Sequence, residues 1–154
     1  MLSENIRLLV IHGPNLNMLG RREPAIYGSA TLDDINQRIK EAAAQRGLQV
    51  DCLQSNLEGE IVSAIQQAHP SYHGIIINAA AYTHYSIAIR DALASVPLPA
   101  IEIHLSNIYK REEFRHHSVI SSVVAGQICG FGGDGYLLAL EAMVRLLEQE
   151  KPKP

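Results

Sequence analysis

Ile6-Arg7-Leu8-Leu9-Val10-Ile11, running straight into His12-Gly13-Pro14-Asn15-Leu16-Asn17-Met18-Leu19-Gly20-Arg21-Arg22-Glu23-Pro24-Ala25-Ile26-Tyr27-Gly28, is the stretch that decides how this chain is read. Residues 6–11 form an apolar run of strand length and read as a buried strand. The chain then changes character at once, to two amides, a pair of arginines and a lone tyrosine set between turn residues. In an α/β sheet, the loop after the first strand is where ligands bind. A tyrosine within a few residues of arginines can have its phenolate stabilised by positive charge, which makes Tyr27 a candidate base.

Strand-like and helix-like segments alternate along the rest of the chain. Thr31 has the chemistry of a helix N-cap, and Asp33 and Asp34 sit in the first turn, where carboxylates suit the helix dipole. Leu32, Ile35, Ile39 and Ala42 recur at helical spacing, and Gly47 follows as the expected C-terminal cap. Residues 48–53 read as a second strand, 59–69 as a helix with Ile61, Ile65 and Ala68 on one face, and 74–79 as a continuous apolar strand. A helix over 86–95, a strand over 99–105, a fifth strand over 119–129 and a final helix over 136–149 complete the pattern. Strands alternating with helices imply βαβ units and a parallel sheet buried on both faces. The expected architecture is α/β, a flavodoxin-like three-layer sandwich whose five-stranded parallel sheet has the order 2-1-3-4-5, with right-handed crossovers.

Length and composition agree with this. The 154 residues, 47% apolar, fit one domain over 1–150, with a disordered tail at 151–154. The net charge of −3 and the lack of a long basic run argue against a nucleic-acid partner. Cys52 and Cys129 form no CxxC pair and are expected as small buried hydrophobes in a reducing compartment. Glu4 and Arg7 make the N-terminus a poor signal peptide, and the apolar run is too short to cross a membrane, so a cytoplasmic location is expected.

The polar residues fall where a sheet of this order would collect them. Asn15, Arg22 and Tyr27 follow the first strand, and Gln54, Ser55 and Asn56 follow the second. Asn78, Tyr82, Thr83 and His84 follow the third. Glu102, His104, Ser106 and Asn107 close the fourth, with Arg115, His116 and His117 beyond. One composite site at the carboxyl ends of the strands is the simplest account.

Individual residues leave more open. A free phenol ionises near pH 10, so a basic role for Tyr27 at neutrality requires roughly 3–4 kcal/mol of stabilisation of its phenolate. Tyr27 is also readable as a loop tyrosine packed at the edge of the fold. Glu102 and His104 alternate on one strand face, either as a general acid with its orienting carboxylate or as a structural pair. His84 and Asp91 share a face only if His84 is already helical; otherwise His84 caps or packs and Asp91 is a surface residue. Arg115-His116-His117 could hold a carboxylate or form a solvated loop. Gly130-Phe131-Gly132-Gly133-Asp134-Gly135 precedes a helix and could bind an anion or make a tight turn.

Several chemistries are disfavoured. There is no HExxH and no usable cysteine pair, so no metal is expected. There is no GxGxxG, and the 13–20 loop lacks the lysine of a phosphate-binding P-loop. None of the lysines lies in an apolar strand, where a Schiff-base amine would be desolvated. A non-catalytic sensor of small acids and a metal-dependent hydrolase remain as alternatives to a metal-free enzyme.

Four motifs in order, HGPNLNMLGRREPAIYG at 12–28, INAAAYTHYSIAIRDAL at 77–93, IEIHLSNIYKREEFRHHS at 101–118 and GQICGFGGDGY at 126–136, give the chain a resemblance to the type II 3-dehydroquinate dehydratases over nearly its whole length. The resemblance implies dehydration of 3-dehydroquinate to 3-dehydroshikimate by anti elimination through an enolate. The reaction would serve the shikimate pathway of aromatic amino acid biosynthesis or quinate catabolism. No metal, organic cofactor or Schiff base is implied, and the assembly would be a dodecamer, a tetramer of trimers.

By that resemblance Tyr27 is the base, Arg22 the lid arginine that lowers its pKa, and Asn15 the amide that holds a water against the enolate oxygen. His104 is the general acid and Glu102 its orienting neighbour. Asn78, His84 and Arg115 bind substrate hydroxyls, Leu105 and Ser106 contact the substrate carboxylate, and Asp91 reaches into an adjacent subunit's site. The chain departs from the family in one turn. Asn78-Ala79-Ala80-Ala81 stands where the family usually has Asn-Pro-Gly-Ala, and alanine tolerates a left-handed backbone poorly, by about 1 kcal/mol.

Overall fold

The computed structural model of the chain describes residues 5–21, 25 and 29–150. Five parallel strands, β1 (Arg7–His12), β2 (Gln49–Gln54), β3 (Gly74–Asn78), β4 (Ala100–His104) and β5 (Gly126–Cys129), pair in the order β2-β1-β3-β4-β5. Among the described residues, the α-helices α1 (Leu32–Gln45), α2 (Glu58–Gln67), α3 (Ile87–Ser95) and α4 (Asp134–Gln149) connect and cover them. This is the expected flavodoxin-like order, with β1 and β3 side by side at its centre.

Period two along the strands divides the core into two layers. Leu8 and Val10 of β1 join Ile76, Ile101 and Ile103 beneath α1 and α4. Leu9 and Ile11 join Ile75 and Ile77 on the other face, beneath α2 and α3. A strand with both faces buried has no polar side to display, hence the continuous apolar runs in the sequence.

The helix signals are met in detail. The Thr31 side chain accepts from the Asp34 backbone N–H while the Asp34 carboxylate accepts from the Thr31 N–H, a reciprocal capping box. Gly47 takes a left-handed φ of 71° after the last turn of α1. Ser86 caps α3 through Ile89 N–H.

The fifth strand is shorter than its apolar pattern predicts. β5 begins at Gly126, and the segment from 119 instead carries a 3₁₀ turn at Ser121–Val123. Pairing is lost there because the Ser118 and Ser121 hydroxyls turn inward to a buried carboxylate, described below. The glycine run before α4 is a tight turn: Gly130 N–H bonds the His104 carbonyl and Gly132 N–H the Leu105 carbonyl, so these amides clamp the end of β4. Among the described residues no helix is long and apolar enough to cross a membrane. The tail expected at 151–154 lies outside the described residues.

Candidate active site

Loops leaving β1, β3 and β4 converge at the carboxyl edge of the sheet around a cleft of about 230 Å³. Asn15, Asn78, His84, His104, Leu105, Ser106 and Arg115 all line it, as the sequence places them.

The floor is β4. Glu102 and His104 project from the same face of that strand, two residues apart. His104 Nε2 donates to Glu102 Oε2 at 2.5 Å, and both residues are buried. Glu102 also accepts from Gln127 Nε2 at 2.9 Å, Ser121 Oγ at 2.9 Å and Ser118 Oγ at 3.1 Å. Burial opposes ionisation of this carboxyl most strongly. The hydrogen bond and charge of His104, with the bonds from Gln127 and Ser121, outweigh it and hold the pKa below the usual glutamate value. The ionised carboxylate fixes His104 as the Nε2–H donor, which leaves Nδ1 as the ring nitrogen for the cleft.

His84 lies against this dyad, its ring stacked on His104 at 6.5 Å between centroids. Its Nδ1 donates to the His117 carbonyl at 2.8 Å. Burial lowers its pKa, with the positive potential of His104 and Arg115 adding to the effect and the bond to His117 and the charge of Glu102 opposing it. His84 ends a separate 3₁₀ turn, Ala80–His84, before α3 begins, so it does not share a helical face with Asp91. Asp91 lies exposed on α3, away from the cleft within this chain.

The β1 side is a loop of amides. Asn15 adopts a left-handed φ of 69°, which asparagine tolerates better than most residues. Its N–H donates to Asn56 Oδ1 at 3.0 Å, while Gln54 Nε2 donates to the Gly13 carbonyl at 3.2 Å and to Asn56 Oδ1 at 3.1 Å. The residues following β2 thus brace the loop that carries Asn15. Arg22 and Tyr27, the expected lid arginine and base, lie outside the described residues.

The outer wall is cationic. Arg115 bonds Glu112 and stacks its guanidinium on Phe114, and Arg111 lines the same cleft. No carboxylate is among the described lining residues, and their charged side chains are the cations Arg111 and Arg115, so the cleft suits an anionic ligand. Sequence reasoning missed Arg111, although its spacing of four from Arg115 in Arg-Glu-Glu-Phe-Arg was a usable signal. It also missed Ser118, Ser121 and Gln127 as holders of Glu102. Gln127 stands opposite Glu102 in the β4–β5 register, and a polar residue facing a buried acid is the mark of such a partner. The thiols of Cys52 and Cys129 are both pushed up to about 11 by burial, as inert cysteines should be. Among the described residues no group of three or more His, Cys, Asp and Glu side chains is placed to hold a metal ion.

A flavodoxin-like sheet, a carboxylate–histidine dyad buried at its carboxyl edge and a cation-lined cleft above it define an enzyme for a small anionic substrate. The family model "Dehydroquinase class II" matches residues 6–144. The 3-dehydroquinate dehydratase of Geotalea daltonii is 58% identical over 138 residues, covering 90% of this chain and 96% of the relative. That of Acaryochloris marina is 56% identical over 143 residues, covering 93% and 96%. The crystal structure of type II dehydroquinase from Propionibacterium acnes superposes with a TM-score of 0.89 at 46% identity, covering 94% of this chain and 99% of that one. The chain belongs to the class II dehydroquinase family and is an enzyme of the hydro-lyase class.

Proposed function

We propose that this chain removes water from 3-dehydroquinate to give 3-dehydroshikimate by anti elimination through an enolate. The observation that carries the reading is the Glu102–His104 dyad, held by four donors beneath a cleft that has two arginines and, among the described residues, no lining carboxylate.

The steps balance without a cofactor. Tyr27, as phenolate, takes the proton alpha to the ketone, and Arg22 lowers its pKa. The electron pair moves to the carbonyl oxygen, where Asn15 holds a water against the developing enolate. As the enolate collapses, the carbon–oxygen bond to the leaving hydroxyl breaks, and His104, acting as an imidazolium whose Nε2–H stays on the Glu102 carboxylate, delivers its Nδ1 proton to complete water and is left neutral. Glu102 keeps His104 in the donating orientation. Asn78, His84 and Arg115 bind hydroxyls, while Leu105 and Ser106 meet the carboxylate. A closed site that excludes water strengthens each of these interactions.

Family membership also supports placing the reaction in the shikimate route to aromatic amino acids or in quinate catabolism, in a cytoplasmic enzyme with one catalytic domain over 1–150. The exposed position of Asp91 on α3 suits a contact with the site of an adjacent subunit in a dodecamer of four trimers.

The test is ultraviolet absorbance after mixing the protein with 3-dehydroquinate, since the product is a conjugated enone acid. The expected rise is insensitive to chelator and to borohydride. In Tyr27→Phe it falls by about 10²-fold or more while the fold is kept, the scale of a lost general base. A folded wild-type chain that gives no rise overturns the reading.

A further inference from the structure

The loop that follows β2 carries two amides, Gln54 and Asn56, that the proposed steps do not use, and the fold sets them against both walls of the cleft. The polarity of the Asn56 side chain is fixed, because the Asn15 backbone N–H can only donate. Asn56 Oδ1 accepts from it at 3.0 Å and accepts from Gln54 Nε2 at 3.1 Å. Gln54 Nε2 also donates to the Gly13 carbonyl, which can only accept, at 3.2 Å. The main chain of Asn56 is tied from the other side. Its carbonyl accepts from the Tyr82 hydroxyl at 2.7 Å, and Tyr82 belongs to the 3₁₀ turn Ala80–His84 that leaves β3. Asn56 thus joins the β1 loop to the β3 turn.

The point it pins is a strained one. Asn15 has a left-handed φ of 69°, and such a conformation persists in a residue other than glycine only where its surroundings over-determine it. Asn56 holds the Asn15 N–H, and the Met18 N–H holds the Asn15 carbonyl at 3.0 Å. Those two bonds fix the peptide planes on either side of the Asn15 Cα, and with them the direction in which its side chain leaves the backbone. Asn15 lines the cleft.

We propose that Asn56 is a positioning residue for Asn15, supported by Gln54 and Tyr82, and that it aims the Asn15 amide at the place where the enolate oxygen forms. The assignment rests on the proposed dehydration, in which Asn15 holds a water against that oxygen. This contact strengthens as negative charge develops, so its loss falls on kcat more than on KM.

Asn56→Leu keeps the size of the side chain and removes its acceptor. Asn56 is exposed, so the exchange leaves core packing alone. It should lower kcat for 3-dehydroquinate about tenfold to thirtyfold with KM within about threefold, less than the loss of an oxyanion contact outright. Tyr82→Phe should lower kcat about threefold, since it frees only the Asn56 main chain. Asn56→Asp still accepts from both N–H groups and should recover most of the kcat that leucine loses. In an Asn15→Ala background, Asn56→Leu should cost less than about twofold more, because a residue that acts through Asn15 has nothing left to act on. A purely structural brace would lower the melting temperature, leave kcat per folded molecule in place and cost the same in either background.

Hydrogen–deuterium exchange of the Asn15 amide, followed by NMR, needs no turnover. The amide should be protected in the wild type and exchange about tenfold faster or more in Asn56→Leu. An unprotected Asn15 amide in the wild type overturns the positioning role whatever the enzyme does. So does a folded Asn56→Leu with wild-type kcat, or an undiminished loss in the Asn15→Ala background. A folded wild type that gives no turnover while its Asn15 amide is protected strikes the dehydratase reading itself, and the role of Asn56 falls with it.

Discussion

β4 and β3, whose ends both line the cleft, hold those ends by opposite means. At the end of β4, order comes from side chains: Glu102 collects four donors from its own strand, the 118–121 turn and β5. At the end of β3, order comes from the backbone. Ala79 sits at φ −75° and Ala80 at φ +53°, a left-handed conformation that alanine resists. The turn is also pressed against β1: a Cβ on Gly13 would lie 2.6 Å from the Ala79 carbonyl, so only glycine fits beside it. A side-chain network concentrates its function in a few irreplaceable groups. A backbone turn spreads it over a conformation that other residues can adopt more easily. The β4 end should therefore break on a single substitution, and the β3 end should tolerate or even gain from one.

The largest effect is expected at Glu102. Glu102→Gln keeps the shape but removes the charge, and it sets an amide N–H₂ among four groups that all donate to the carboxylate in the wild type. His104 then loses the partner that fixes its donating form. The expected loss in kcat is about 10² to 10⁴, the range of a general acid put out of use, with a lower melting temperature as well. Steady-state kinetics beside thermal unfolding check this. A folded variant within tenfold of wild-type kcat would mean that the dyad is structural.

The next effect separates the two ends by pH. Burial lowers the His12 pKa from 6.5 to about 4, so the folded state prefers the neutral ring. Below pH 6.5 the unfolded chain takes up a proton that the fold refuses until about pH 4. Stability from this source is therefore complete above 6.5 and falls as pH drops through that window. The loss reaches roughly 3 kcal/mol near the lower end. Glu102 has the opposite sign of charge and a lower window. Its pKa is depressed from 4.5, so its contribution holds above that value and is lost only as pH falls below it. Acid should thus act at His12, which lies beside Asn78 in the β1–β3 register, before it reaches the β4 dyad. Urea unfolding between pH 7 and 4 should show His12→Gln losing less stability than the wild type across the window. Parallel curves would show that His12 is not held neutral.

Much of this was legible in the sequence, and the parts that were not share a cause. The continuous apolar runs of β1, β3 and β4 gave the strands, because a strand buried on both faces must be apolar throughout. The Thr31 cap and Gly47 gave the limits of α1, because those residues satisfy or release backbone groups locally. The alternation of Glu102 and His104 gave the dyad. The misread segments are those where distant chemistry overrides local pattern. The 119–125 stretch looks like strand, yet Ser118 and Ser121 fold it inward to Glu102, sixteen and nineteen residues away. The shared face of His84 and Asp91, left conditional on a helical His84, is settled by Tyr85, whose φ of −154° separates the 3₁₀ turn ending at His84 from α3. The buried His12–Tyr136 hydrogen bond joins residues 124 apart, and no local period could announce it.

The smallest effect lies in the one turn where the chain departs from its family. Ala79→Pro with Ala80→Gly replaces two residues whose conformations are already those the new residues prefer. Ala79 at φ −75° lies within the range of proline, and Asn78 before it is extended, as a residue preceding proline should be. Ala80 at φ +53° is relieved by glycine, a gain of about 1 kcal/mol. The bond from residue 80 N–H to Asn78 Oδ1 needs no side chain at 80 and survives the exchange. The double variant should therefore melt a few degrees higher and turn over at a similar kcat, with a larger change in KM, because the turn aims Asn78 and His84. Thermal unfolding and steady-state kinetics on the same preparation decide it. Complete loss of turnover would mean that the alanine turn is a required part of this chain's site. It would also mean that the β3 end is as intolerant of change as the β4 end, and the contrast between them would fail.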